Sequence, residues 1–270
     1  MKGRCGWMAC LGAAALCGGN LRAELLIYEG FDYPPGTVGS NMTGGVNLRT
    51  SWGTLDSSNT TAQAGSLTYD GGSGAFMLAT NGNHLKRAKV DAWWGERWIA
   101  RQFDNTHPLY PYSSGGNTVG NDGTMLWVSF LYRHDGDPAA DRAAFRIGPL
   151  FVGRPFNANG KFGMTLNEGG TFYDSGLTIV SGQTCLATLK FEFGAGNADA
   201  VSLWVNPSLN KEEPDGAYTN RISGADLSWG FFGGCGKSMS VDELRVGESF
   251  RDVVPAERIR LENGMVLVVR

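Results

Sequence analysis

From Met125 to Arg133 the side chains alternate: Leu126, Val128, Phe130 and Tyr132 share one face, and Trp127, Ser129 and Leu131 share the other. A period of two marks a strand, because successive side chains of an extended chain point to opposite sides. Thr184 to Phe193 repeats the pattern, with Leu189, Phe191 and Phe193 opposed to Lys190 and Glu192. Between such runs lie turns built from Gly, Asn, Ser and Thr, and no long amphipathic helix is legible. The 40 glycines and the 18 % of charged residues fit that loop-rich pattern. Roughly ten to fourteen short strands at turn-punctuated spacing predict an all-β chain. Its natural solution is a β-sandwich of two antiparallel sheets. A length of 270 residues suits one large sandwich. A net charge of −3 without a basic stripe argues against nucleic acid as a partner.

The ends differ in character from the middle. Lys2 and Arg4 precede an apolar run from Gly6 to Gly18, which is too short to span a bilayer. With Leu21-Arg22-Ala23 as a cleavage site, residues 1–23 read as a secretory signal, placing the mature chain outside the cell or at its surface. No later segment is long and apolar enough to span a membrane. The cut leaves Cys185 and Cys235, an even pair in an oxidising compartment. A Cys185–Cys235 disulfide and two buried free thiols both remain open. Residues 24–254 form the predicted domain. Residues 255–270 form a tail, in which Arg258 to Glu262, Asn263-Gly264 and Met265 to Val269 read as a β-hairpin. It either packs on the sandwich or offers an edge to a partner.

Within the domain, Leu25 to Phe31, Ser66 to Tyr69 and Ala75 to Ala79 read as strands. Residues 80–124 read as the least regular stretch, and a long irregular segment in a compact domain is often functional. Gly233-Gly234-Cys235-Gly236-Lys237-Ser238 invites a phosphate-loop reading, but Phe231 stands where that loop needs a glycine. The segment reads instead as a turn before the last strand.

Several stretches taken in order are familiar. They are Tyr28-Glu29-Gly30-Phe31-Asp32-Tyr33, Gly123 to Phe130, Leu150 to Gly153, Phe191 to Asn197 with Val201 to Pro207, and Val241 to Gly247. In this order the chain resembles the concanavalin A-like, laminin-G-like domains of secreted bacterial proteins, of the kind found in Verrucomicrobia and Planctomycetes. The resemblance covers about residues 25–254. It implies a jelly-roll sandwich and, as a class tendency, contact with extracellular glycans or surfaces. It also implies one structural Ca2+, with Glu29, the Gly30 carbonyl and Asp242 in the matching positions. Calcium takes six to eight oxygen ligands of this kind. The plain reading beside it is that Asp242 and Glu243 end a strand and pair with Arg245 or Arg251.

An aromatic surface is the main binding candidate. Trp93, Trp94 and Trp98 flank Glu96 and Arg97, and Tyr110 and Tyr112 follow in the same irregular stretch. Aromatic planes stack on the apolar faces of sugar rings, while carboxylate and guanidinium groups bond hydroxyls. The same tryptophans also suit a small core inside the loop. Catalytic signatures are weak. The alternating carboxylates of laminarinase-type hydrolases are missing, and no Gly-x-Ser-x-Gly elbow occurs. His134 beside Arg133 and Tyr132 at a strand end is the one lyase-like grouping. The sequence therefore predicts a secreted binding module for extracellular carbohydrate, without catalytic activity. A structural or adhesive protein making protein contacts through edge strands or the tail is the alternative, and a glycan-cleaving hydrolase or lyase comes third.

Overall fold

The computed structural model describes residues 25–53, 59–71, 75–88, 98–102, 109–156, 158–215, 218–262 and 265–269; for 98–100, 218 and 258–269 only the backbone is described. The signal segment 1–23 lies outside these residues. The first strands in chain order are β1 (Ile27–Glu29), β2 (Thr60–Gln63), β3 (Phe76–Leu78), β4 (His84–Arg87) and β5 (Trp98–Gln102). Next come β6 (Ser113–Gly115), β7 (Thr118–Val119), β8 (Met125–His134), β9 (Ala143–Ile147) and β10 (Leu150–Arg154). They are followed by β11 (Lys161–Leu166), β12 (Phe172–Thr178), β13 (Thr184–Glu192), β14 (Asp199–Val205) and β15 (Tyr218–Ala225). The last are β16 (Phe231–Gly236), β17 (Met239–Gly247), β18 (Ala256–Glu262) and β19 (Met265–Val269).

The architecture is an antiparallel jelly-roll β-sandwich. One sheet has eight strands in the order β15-β14-β13-β8-β17-β4-β2, with β1 also paired to β17. The other has six, in the order β12-β11-β10-β9-β16-β5. The inward faces follow the alternation in the sequence. Leu126, Val128, Phe130 and Tyr132 of β8 enter the main core, and Trp127 and Leu131 face the other way. Phe145 sits at the centre of an aromatic stack, with ring centroids 4.6 Å from Phe130, 6.2 Å from Phe232 and 6.5 Å from Trp52.

The outer face of the eight-stranded sheet is covered. Leu67, Tyr69, Leu78 and Leu209 pack there with Trp127, Leu131 and Leu186. A one-turn helix, α1 (Phe250–Val253), closes the patch. Its start is set by a capping box, in which the Ser249 hydroxyl accepts from the Asp252 amide and the Asp252 carboxylate accepts from the Ser249 amide. Ser66 to Tyr69, read from the sequence as a strand, is not one: it forms no ladder and serves as part of this cover.

Two further readings are corrected. Residues 80–124 are not one irregular loop, since they contribute β4 to one sheet and β5 to the other. The polar run His84-Leu85-Lys86-Arg87 hid the first of them. The glycine run 233–236 is not a turn but most of β16, a strand inside the six-stranded sheet. Glycine is required at its end: Gly236 has φ +89, and a Cβ there would collide with the Arg142 carbonyl oxygen.

The disulfide is corrected as well. Cys185 and Cys235 are both free and buried. Cys185 joins the main core beside Tyr132 in register, whereas Cys235 joins a small separate cluster with Ala144 and Phe151. The thiols thus lie on different sheets and in different clusters, and burial pushes the pKa of both upward, which keeps them protonated. The tail pairs with the domain: β18 bonds to β3 on one side and β19 on the other, forming a three-stranded sheet. The Asn263-Gly264 turn itself lies outside the described residues.

Phe145→Ala is expected to cost about 3–5 kcal/mol in urea unfolding, as for aromatic truncation in a packed core. Val180→Ala, at an exposed position, should change stability by no more than about 0.5 kcal/mol. A reducing agent should leave the melting temperature unchanged, and a drop would contradict the free thiols.

Candidate functional site

Leu109 is fully buried and anchors the chain that leaves the six-stranded sheet. Tyr110-Pro111-Tyr112 then makes a single 3-10 turn, closed by the Tyr112 amide donating to the Leu109 carbonyl at 3.0 Å. Proline inside such a turn pre-sets φ and needs no donor. The two tyrosines diverge. Tyr112 packs on the main core and donates its hydroxyl to the Glu248 carboxylate. Burial and that carboxylate push the phenol up to about 12. Tyr110 stands out from the surface, 74 % exposed.

Strands β6 and β7 form a short hairpin whose turn contains Gly115 and Gly116, both with positive φ. With Tyr110 they border an open groove of about 560 Å³, lined also by Pro111, Ser113, Ser114 and Asn121. The Asn121 amide nitrogen donates to the Pro111 carbonyl at 2.9 Å, which leaves its side-chain oxygen available as an acceptor. The groove therefore offers an aromatic plane, hydroxyls and an amide, the groups that suit a polyhydroxylated ligand.

The hairpin is bolted to the six-stranded sheet. Val119 and Trp229 exchange two backbone hydrogen bonds, of 2.8 and 2.9 Å. Two residues on, Phe231 starts β16, and its carbonyl accepts from the Gly148 amide at 3.0 Å. Arg146 of β9 lies between two rings there, 4.9 Å from the Phe151 centroid and 4.8 Å from that of Phe231. Its Nε donates to the Gly148 carbonyl at 2.7 Å. Burial lowers its pKa from the ordinary guanidinium value. Arg146 alternates with inward Phe145 and Ile147, so period-two reading alone would have placed it on the outer face.

Of the aromatic surface read from the sequence, Tyr110 lines the groove and Tyr112 is its buttress. Trp93, Trp94, Glu96 and Arg97 lie outside the described residues, and for Trp98 only the backbone, paired with Cys235 in β5, is described.

The calcium trio does not fit one ion. Glu29 is opposite Leu244 in register and points into the sandwich. Its Oε1 accepts from the Phe31 amide at 3.0 Å. Its Oε2 accepts from Tyr33 Oη at 3.0 Å, from Trp52 Nε1 at 3.1 Å and from Arg101 Nη1 in a buried ion pair. Asp242 is opposite Leu131, which belongs to the outer-face cluster. Its carboxylate accepts from the Ser66 hydroxyl and from the amides of Leu67 and Glu243, the latter two both at 2.8 Å. The two carboxylates are on opposite faces of one sheet, and hydrogen-bond donors occupy both. Among the described residues no group of three His, Cys, Asp or Glu side chains could hold a metal. Glu243, beside Asp242, forms the ion pair with Arg245 that the plain strand-end reading anticipates, at 2.5 Å.

His134 and Tyr132 do come together, with Tyr132 Oη 3.1 Å from His134 Nδ1. Both are buried, and the adjoining cavity of about 20 Å³ has room for about one water molecule. Burial lowers the His134 pKa and raises that of Tyr132 well above the phenol range, so both are neutral. This pair is sealed away from any polysaccharide.

No family model and no curated protein matches the sequence. Solved structures similar to the fold include an alginate lyase with bound alginate tetrasaccharide (10 % identity, 82 % of this chain and 96 % of that one, TM-score 0.43). They include the catalytic domain of a glycoside hydrolase family 131 protein from Coprinopsis cinerea (10 % identity, 83 % and 84 %, TM-score 0.42). The Ca2+- and Man3GlcNAc-bound lumenal domain of VIP36 is also similar (8 % identity, 65 % and 86 %, TM-score 0.34). The expectation of a chain without catalytic activity is corrected by these neighbours. The sandwich occurs in lyases and hydrolases as well as in a lectin, so it gives no ground for excluding catalysis. Among the described residues no helix is long and apolar enough to cross a membrane.

Two outcomes test the buried carboxylates. Adding calcium, or a chelator, should leave the melting temperature of the purified chain unchanged, whereas Arg101→Met should cost about 3–5 kcal/mol by stranding Glu29. Burial pushes Asp242 from 3.8 up to about 8. Because the folded state holds this proton more tightly, its stabilisation is complete below about pH 4 and is lost as pH rises through about 8. Urea midpoints should fall between about pH 4 and pH 8. Asp242→Asn, which cannot ionise, should show a flatter profile, and an identical slope would rule out this assignment.

Proposed function

We propose that this chain recognises an extracellular glycan, as concanavalin A-like jelly rolls do, at the rim where hairpin β6–β7 joins the six-stranded sheet. The observation that carries this reading is Tyr110. A large aromatic ring held 74 % exposed by a proline turn, beside serine hydroxyls and the Asn121 amide, joins none of the core clusters among the described residues. Such a ring stacks on the apolar face of a sugar while its neighbours bond the hydroxyls. The rigidity of the rim supports the same reading, since the Val119–Trp229 bridge, the buried Leu109 and the half-buried Tyr112 fix the ring before any ligand arrives. The extracellular setting rests on the signal-like segment 1–23.

A glycan array probed with the chain from Glu24 onward should give a specific hit. Tyr110→Ala should weaken that hit at least about tenfold, equivalent to about 1.4 kcal/mol. Val180→Ala should leave it intact. Silence across the array, or binding indifferent to Tyr110, would overturn the rim assignment. Incubating the bound glycan with the chain and looking for shortened products shows whether recognition leads on to cleavage.

A further inference from the structure

Strand β17 changes partners midway. Met239 to Val241 pair with β4, Leu244 to Val246 pair with β1, and the ladder to β8 is irregular between Asp242 and Arg245. At this handover Glu243, fully buried, has φ +53. A left-handed, non-glycine residue in a buried ladder is strained, and strain of this kind clusters at functional sites. Glu243 is held from three sides. It accepts from the Asn81 amide at 2.6 Å, pairs with Arg245 Nη2 and takes a hydrogen bond from the Tyr28 hydroxyl.

Above this cluster, on the outer face of the eight-stranded sheet, opens a concavity of about 660 Å³. Its lining includes Tyr28, Thr80, Asn81, Arg245 and, from the start of β18, Glu257. Arg245 is 4 % exposed and lies under the Tyr28 ring, 5.6 Å from its centroid. Its Nη2 donates to Glu243 and to the Ala79 carbonyl, but Nη1 has no partner in the protein. A buried guanidinium N–H without an acceptor is unfavourable and favours an oxygen brought from outside.

We propose that this concavity is a second binding site, separate from the Tyr110 rim, for a neutral hydroxyl-rich ligand: a single saccharide unit. The charges select against an anion, because Glu243 already balances Arg245. A neutral sugar suits the set. One of its oxygens accepts from Arg245 Nη1, its hydroxyls donate to Glu257, Thr80 and Asn81 bond the remainder, and Tyr28 supplies an aromatic wall. The tail hairpin, through β18, completes the site.

The test is a titration of the isotope-labelled chain with glucose, galactose, mannose and xylose, followed by backbone amide shifts, with glycerol as control. The expected result is a saturable shift of the Ala79–Asn81 and Ala256–Glu257 amides with at least one sugar and not with glycerol. Asn81→Trp fills the concavity from its exposed edge and leaves the backbone bond to Glu243 in place, so it should abolish the shifts. Tyr110→Ala should retain them, which separates this site from the rim. Arg245→Lys should weaken the sugar at least about tenfold, and if that variant fails to fold, Asn81→Trp alone decides. No shift at these amides, equal shifts with glycerol, or shifts that persist in Asn81→Trp would overturn the proposal.

Discussion

The buried ion pair between Glu29 and Arg101 is the constraint around which the sandwich closes. Glu29 comes from β1 in the eight-stranded sheet and Arg101 from β5 in the six-stranded one, and they meet in the interior. Two charges removed from water are tolerated only when each remaining polar atom is bonded. Here that condition recruits distant parts of the chain. Trp52 and Tyr33 donate to the carboxylate, while the carbonyls of Gly44 and Arg49 accept from the guanidinium. The irregular segment after β1 is thereby tied down, and Trp52 is set against Phe31 and Phe145. A cation at Glu29 Oε2 would have to displace the donors already in place there.

The two outer faces of the sandwich have different fates. The eight-stranded sheet is covered by Leu67, Tyr69, Phe76, Leu78, Leu209 and helix α1, so its outer side is a second core. The concavity at the β17 handover opens on that side. The rim of the six-stranded sheet instead carries a rigid hairpin and an exposed ring. The rim draws its side chains from a short, turn-rich connection fixed by buried anchors, whereas the concavity combines strand residues of β1, β17 and β18 with the Thr80-Asn81 turn.

Much of the frame was legible in the residues. The alternation in β8 and β13 told inward from outward side chains, because the strand period is two whatever the neighbours are. The tail hairpin was legible from Asn263-Gly264 between two short arms, the second apolar throughout. The failures have physical causes. His84 to Arg87 looks like loop because polar residues dominate it, yet it is a strand whose Arg87 is buried and donates to the Gly236 carbonyl. The 233–236 glycines look like a turn because local propensity ignores strand pairing, yet they belong to β16, at whose end a Cβ on Gly236 would collide with the Arg142 carbonyl oxygen. At the candidate sites, Tyr110 could be singled out as an aromatic in a loop and Arg245 as a partner for the strand-end acids, but Arg101 could not, since nothing local marks an arginine whose partner Glu29 lies far along the chain.

By itself, then, the sequence determined the class of fold, the antiparallel sheets and the facing of the long strands, all of which follow from short-range periodicity and turn chemistry. Only the tertiary structure decided which carboxylates meet which cations. Glu29 and Asp242 sit on neighbouring strands of one sheet and look like ligands of one ion. The pleat and the bulge of β17 turn them to opposite faces, one into the core and one toward the cover. That choice depends on register summed over the whole ladder, and register is a property of paired strands rather than of either strand alone.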